Sequence, residues 1–274
     1  YGPGFIVYIK LLVGGLHSPI GSITLMRTAN AAWFLLLLAL LRAAGVGAAA
    51  LCLAALNPAI LFAYVANPHN DLIACTLVIA ALAVAVRLPL LAAVIVVAAS
   101  LVKLPFAVIG CLAFTQLRSV TARACASIAT VAAGVGASYI LAGPAYFQGL
   151  SYYSHLLAHD GDGAQWLATV IALGALAAAV LLRRYGQVTA YALPALPVVE
   201  LEPWYAIWSL PYAVCERTHL HRFLILLPVM LALMETGIAQ AAQLTLYGLI
   251  VAAIGAGMIR DMRRAQHRSQ PVKA

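Results

Sequence analysis

The chain has 274 residues, 65% of them hydrophobic and only 9% charged, with a mean hydropathy of +1.00. A soluble domain carries about a quarter charged residues, so a soluble enzyme or a nucleic-acid binder is excluded. An all-α, polytopic membrane protein is expected instead, and the formal net charge of +8 then reports topology and lipid headgroups.

Taken in order, Gly4–Leu16 is apolar but short and carries Lys10, which suits an interfacial or partly inserted helix. Ile20–Leu41 is long enough to span, with Arg27 and Asn30 in its first turns. Val46–Ala66 spans and is kinked at Asn57-Pro58, and Leu72–Val86 follows, ending at Arg87. The stretch from Arg87 to Arg118 is too long for one ordinary span. Lys103-Leu104-Pro105 divides it into a hairpin of two short helices with Lys103 near the apex. Val120–Leu141 spans, and Gly143–Gly163 reads as an aromatic-rich loop ending in His159-Asp160-Gly161-Asp162-Gly163. That run is read as a loop and not as a metal site.

Beyond it, Ala164–Leu182 spans, and the short halves Val188–Val199 and Ala206–Val214 flank Glu200-Leu201-Glu202-Pro203-Trp204-Tyr205. Phe223–Met234 and Leu244–Ile259 complete the membrane part. The expectation is one helical domain over residues 1–260, with about 9–11 membrane helices, and a basic tail over 261–274. Tyr1-Gly2-Pro3 carries no initiator Met, so the domain is read as N-terminally incomplete. The five scattered cysteines form no CxxC pair and are read as small buried hydrophobes, with no metal or other cofactor expected.

Placing the Asn67–Asp71 turn outside puts 13 of the 16 Lys and Arg residues inside and six of the eight acids outside. This is the charge bias of a multi-pass protein of the cytoplasmic membrane with its C-terminus in the cytoplasm. The exceptions, Lys10, Arg27 and Lys103, share the outer half with His69, Asn70, Asp71, Asp160, Asp162, Glu200 and Glu202.

Asn67-Pro68-His69-Asn70-Asp71 is therefore the stretch to explain. It is either a solvated turn capped by Asn70 or Asp71 or a polar site at membrane depth. Arg27 and Lys103 suit a phosphate, by a bidentate fork and a point charge respectively, or else snorkel to the surface, Arg27 alternatively pairing with an acid. Carboxylates and a histidine at the same level suit acid–base work or sugar hydroxyls. Trp204, Tyr205 and Trp208 either stack on a sugar ring or form an interfacial aromatic belt.

Tyr-Gly-Pro at the start, Asn-Pro-His-Asn-Asp after an apolar run, Lys103-x-Pro105 and Glu202-Pro203-Trp204-Tyr205 occur in that order. The set resembles bacterial polyprenyl-phosphate-sugar-dependent integral-membrane glycosyltransferases of the C superfamily, including the mannosyltransferase-like members, over Tyr1 to about Tyr212. The resemblance implies transfer of a hexose such as mannose from a polyprenyl-phosphate donor to a glycan or glycolipid acceptor at the outer face, with inversion and without bound metal. It places the acidic base in a loop upstream of Tyr1, so no residue here takes that role by motif. His69, Asp71 and Glu202 stand as candidates for assistance. Arg27, Asn67, His69, Asn70, Asp71, Lys103, Glu202, Trp204 and Tyr205 stand as substrate-binding candidates. The rivals are a transporter or flippase of a lipid-linked or small polar substrate, which also uses broken helices around polar groups, and a non-catalytic scaffold of envelope assembly.

Overall fold

The computed structural model describes residues 1–158, 180, 207–215, 220–221 and 223–228. Among them every regular element is helical and none is a strand, as an all-α membrane protein requires, because a helix satisfies its own backbone groups in lipid. In chain order the elements are α1 (Pro3–Val13), α2 (Pro19–Ala43), α3 (Ala48–Ala55), a π-helical segment (Ile60–Ala66), α4 (Asp71–Val84), α5 (Pro89–Val102), a short α6 (Phe106–Ile109) running into a 3₁₀ segment (Gly110–Gln116), and α7 (Val120–Ala158). A short helix, Leu210–Cys215, follows. Proline sits in the first turn of α1, α2 and α5, where its missing N–H costs nothing and its φ suits the helix.

Two helices, α2 and the Val120–Leu150 part of α7, are long and apolar enough to cross a membrane among the described residues. A third crossing results if α3 and the π-helical segment, bent by 55°, count as one span. The break between those two falls at Asn57-Pro58, as the sequence predicts. Asn57 is buried; its Oδ1 accepts from the N–H groups of Ala59 (3.0 Å) and Ile60 (3.3 Å), and its Nδ2 donates to the carbonyl of Leu224 (2.7 Å). One amide thus caps the second half of the broken span and ties it to a segment 167 residues away.

The remaining helices are short, and α4 is the centre around which they pack. Residues on every side of it are buried, including Leu72, Ile73, Cys75, Val78 and Ile79, because it contacts α2, α5, α6, the 3₁₀ segment and the helix Leu210–Cys215. A helix apolar all round belongs in such a place. The predicted hairpin is present: α5 stops at Lys103, whose φ of −156° and ψ of 116° are extended, and the chain turns through Leu104-Pro105 into α6. Small residues allow the close approaches. A Cβ on Gly110 would overlap both methyls of Val96, a buried β-branched side chain with no room to turn. Gly110→Val is expected to cost about 1–3 kcal/mol, read as a lower thermal unfolding midpoint in detergent.

The expectation of a loop from Gly143 is corrected. The chain bends at Gly143, where φ is +68°, and helix resumes to Ala158. Glycine supplies the left-handed backbone. Pro144 then opens the second helical segment, where its fixed φ is an advantage and its lack of an N–H is harmless. Asp160 and Asp162 lie outside the described residues.

Candidate functional site

One end of the bundle collects the polar side chains. It is formed by the N-terminus of α4, the C-terminus of α5, the residues around Arg27 and Asn30 on α2, and Ile207-Trp208. The turn between the π-helical segment and α4 is built from backbone bonds. Asn67 N–H donates to the Phe62 carbonyl (3.0 Å), an i→i−5 bond that ends the π-helix, and His69 N–H donates to the Asn67 carbonyl (2.6 Å). π-helical turns recur at functional sites because they push a residue out of helical register.

The capping reading of this turn is corrected. Asn70 precedes α4 but makes no side-chain cap. Its buried Nδ2 instead crosses to the carbonyl of Val102 (3.1 Å), tying the turn to the end of α5. Asp71, the first residue of α4, is completely buried, at 0% exposure. Its Oδ1 accepts from Lys103 Nζ at 2.8 Å and also from Trp208 Nε1. A negative charge at a helix N-terminus is favourable in itself, but a carboxylate at this depth also needs a counter-charge. Lys103 supplies it. The Lys103 side chain is 15% exposed, so it turns inward to the carboxylate rather than snorkelling to the surface.

Trp208 is 1% exposed, which corrects both readings made of it: it neither sits in an interfacial belt nor offers a face to a sugar. Its ring meets Phe106 edge-on (centroids 5.4 Å apart, planes at 69°), and Lys103 Nζ lies 5.1 Å from the ring centroid, within the range of a cation–π contact. Cys75 adds a second tie to this segment, donating from Sγ to the Ile207 carbonyl (3.3 Å).

Asn30 is a member of the site that sequence reasoning missed. It is buried, and its Nδ2 donates to the carbonyls of both Tyr64 (2.7 Å) and His69 (3.1 Å). A lone Asn inside an apolar helix pattern gives no signal beyond its burial cost. Arg27, three residues earlier, is exposed and donates from Nε to the Ala66 carbonyl at 2.6 Å. That bond fixes the side chain beside the turn. Asn67 is exposed and His69 half-buried. Glu202, Trp204 and Tyr205 lie outside the described residues.

Burial pushes the His69 imidazole below the usual histidine range, the Asp71 charge opposes this, and the Lys103 charge reinforces it. His69 is therefore neutral at pH 7, with one ring nitrogen to donate and one to accept. Because the folded protein takes up this proton at lower pH than the unfolded chain, the His69 contribution to stability is whole above about pH 6.5 and is lost as the pH falls below it. Thermal midpoints measured from pH 7.5 to 5 are expected to fall less in His69→Gln than in the wild type.

The arrangement joins a paired ammonium, an exposed guanidinium and a neutral imidazole at one end of a membrane helix bundle. Such a set can receive an anionic group together with hydroxyls. No curated protein and no solved structure matches the chain. Residues 1–119 do match the model of the family described as alpha-(1->6)-mannopyranosyltransferase, N-terminal domain. The matched stretch holds Arg27, Asn30, the Asn67–Asp71 turn and Lys103, and it ends just before α7 begins. The first 119 residues are thus similar to the N-terminal domain of a mannosyltransferase, and this supports a membrane-embedded, mannosyltransferase-like glycosyltransferase.

Proposed function

We propose that the chain transfers a hexose, mannose, from a polyprenyl-phosphate donor to a glycan or glycolipid acceptor at the outer face of the cytoplasmic membrane. The match of residues 1–119 to a mannopyranosyltransferase domain carries this reading. The clustering of Arg27, His69 and Lys103 at one end of the bundle supports it.

In such a transfer an acceptor hydroxyl oxygen attacks the anomeric carbon and gives up its proton to water, the bond from that carbon to the phosphate oxygen breaks, and polyprenyl phosphate leaves with the bonding pair. Negative charge grows on the departing phosphate, and pre-placed cations stabilise it more in the transition state than in the donor. Lys103 and Arg27 take that part, and the prenyl chain lies among membrane lipids. Neutral His69 exchanges hydrogen bonds with sugar or acceptor hydroxyls, with Asn67 at the open edge of the turn. Glu202, Trp204 and Tyr205 are assigned to the same sugar and acceptor contacts. None of these residues is assigned as the base.

The test is transfer of labelled mannose from polyprenyl-phosphate mannose to a mannan oligosaccharide by the chain in proteoliposomes. Labelled, extended oligosaccharide is the expected product. Movement of the donor between leaflets with no transfer would overturn the reading in favour of a transporter.

A further inference from the structure

We infer that Asp71 and Trp208 are positioning residues that together hold the Lys103 ammonium in place, so that the anion-receiving point of the N-terminal domain is completed by a residue from outside that domain. The inference rests on the functional reading above only for what Lys103 is held toward.

The geometry is specific. Lys103 Nζ and Trp208 Nε1 both donate to the same oxygen, Oδ1 of Asp71. Two donors on one oxygen must lie against each other, and the ammonium does lie 5.1 Å from the indole centroid. The carboxylate therefore holds Lys103 from one side and the indole covers it from another. The other carboxylate oxygen, Oδ2, is buried and meets no hydrogen-bond donor among the described residues. Lys103 is the cation paired with the Asp71 carboxylate at this corner of the site.

Each holder is itself locked. Asp71 opens α4 and is completely buried, the adjacent Asn70 is tied to Val102, and Trp208 is wedged edge-on against Phe106, three residues after Lys103. A flexible four-carbon side chain is in this way limited to a narrow set of positions, and little further entropy is lost when an anion arrives. The family match ends at residue 119, yet Trp208 lies 137 residues beyond Asp71 in sequence. The matched domain does not contain everything that sets its own cation.

Two variants test this in the intact chain. Asp71→Asn keeps shape and can still accept from Trp208 but removes the charge. Trp208→Phe keeps an aromatic ring but removes the donor. The first readout is acylation of Lys103 by an N-hydroxysuccinimide ester at fixed neutral pH in proteoliposomes, measured by peptide mass spectrometry against exposed Lys10 as internal reference. Lys103 Nζ is held by Asp71 and covered by the indole, and its side chain is only 15% exposed, so the reagent reaches it less readily and wild-type Lys103 is expected to label more slowly than Lys10. Each variant is expected to raise the Lys103 rate several-fold. Wild-type Lys103 labelling as fast as Lys10, or a ratio unchanged in both variants, would overturn the inference.

The second readout is transfer. Each variant is expected to lower kcat/KM by about tenfold, and the double variant by little more than either alone, because both act through one ammonium. Effects that multiply in the double variant would show two independent structural losses and overturn the positioning role. Absence of transfer even in the wild type would sink the functional reading, while the labelling result decides the holding of Lys103 separately.

Discussion

Lys103→Met is expected to lower both stability and transfer more than any other single substitution. The Met side chain has about the length of the Lys stem and packs as well, but it leaves the Asp71 carboxylate at 0% exposure with no counter-charge. Removing one partner of a buried pair costs about 3–5 kcal/mol, because the remaining charge is stranded. Trp208 still donates to Asp71, which places the expected loss at the lower end of that range. Transfer is expected to fall by about 10²–10³, the usual consequence of deleting one group that meets developing charge. The double variant Asp71→Asn/Lys103→Met separates the two effects. Without the stranded carboxylate its unfolding midpoint is expected to return most of the way to wild type, while transfer stays low. If transfer returned together with stability, Lys103 would be a structural cation and would have no part in meeting the donor phosphate.

Asn30→Leu is expected to rank second. Leucine is close in volume and a better helix former, so α2 itself should persist. What is lost is the pair of bonds from Nδ2 to the Tyr64 and His69 carbonyls, 34 and 39 residues away. Each carbonyl left unpaired away from water costs about 1–3 kcal/mol. The His69 carbonyl belongs to the turn that carries the site, so its release also frees the imidazole from its place. Because the bond to the His69 carbonyl is only part-buried, the combined loss is expected at the low end of that sum, about 2–4 kcal/mol of unfolding free energy, read as a lower unfolding midpoint, with a rise in the donor KM larger than the fall in kcat. Asn30→Gln, which keeps the amide on a longer stem, is expected to recover part of both. A midpoint in Asn30→Leu equal to wild type would mean that the two carbonyls find other partners.

The site was legible in the sequence wherever a residue type was out of place. Arg27, His69, Asp71 and Lys103 stand out because charge among apolar runs is costly and needs a reason. The structure brings all four to one end of the bundle. Asn30 carried no such contrast, and Trp208 carried the wrong one: an aromatic near a polar break suggests a belt or a stacking face, and only its burial shows otherwise. The turn at Asn67–Asp71 was placed correctly, yet its capping was not, because the Asn70 amide turns across the helix pair to donate to the Val102 carbonyl and does not accept from the N–H groups of its own helix.

Composition and the lengths of the apolar runs by themselves determined the solvent of this protein, its helical class and the positions of its breaks. Those are properties of consecutive residues: about 20 apolar positions match a bilayer, and Pro breaks a helix wherever it falls beyond the first turn. The direction in which each polar side chain turns was decided only by the tertiary structure. Lys103 could reach water or Asp71, and Trp208 could face lipid headgroups or the interior. The choice was made by packing α4 at the centre, which buries Asp71 where a carboxylate cannot remain unpaired, and so draws in an ammonium from 32 residues away and an indole from 137.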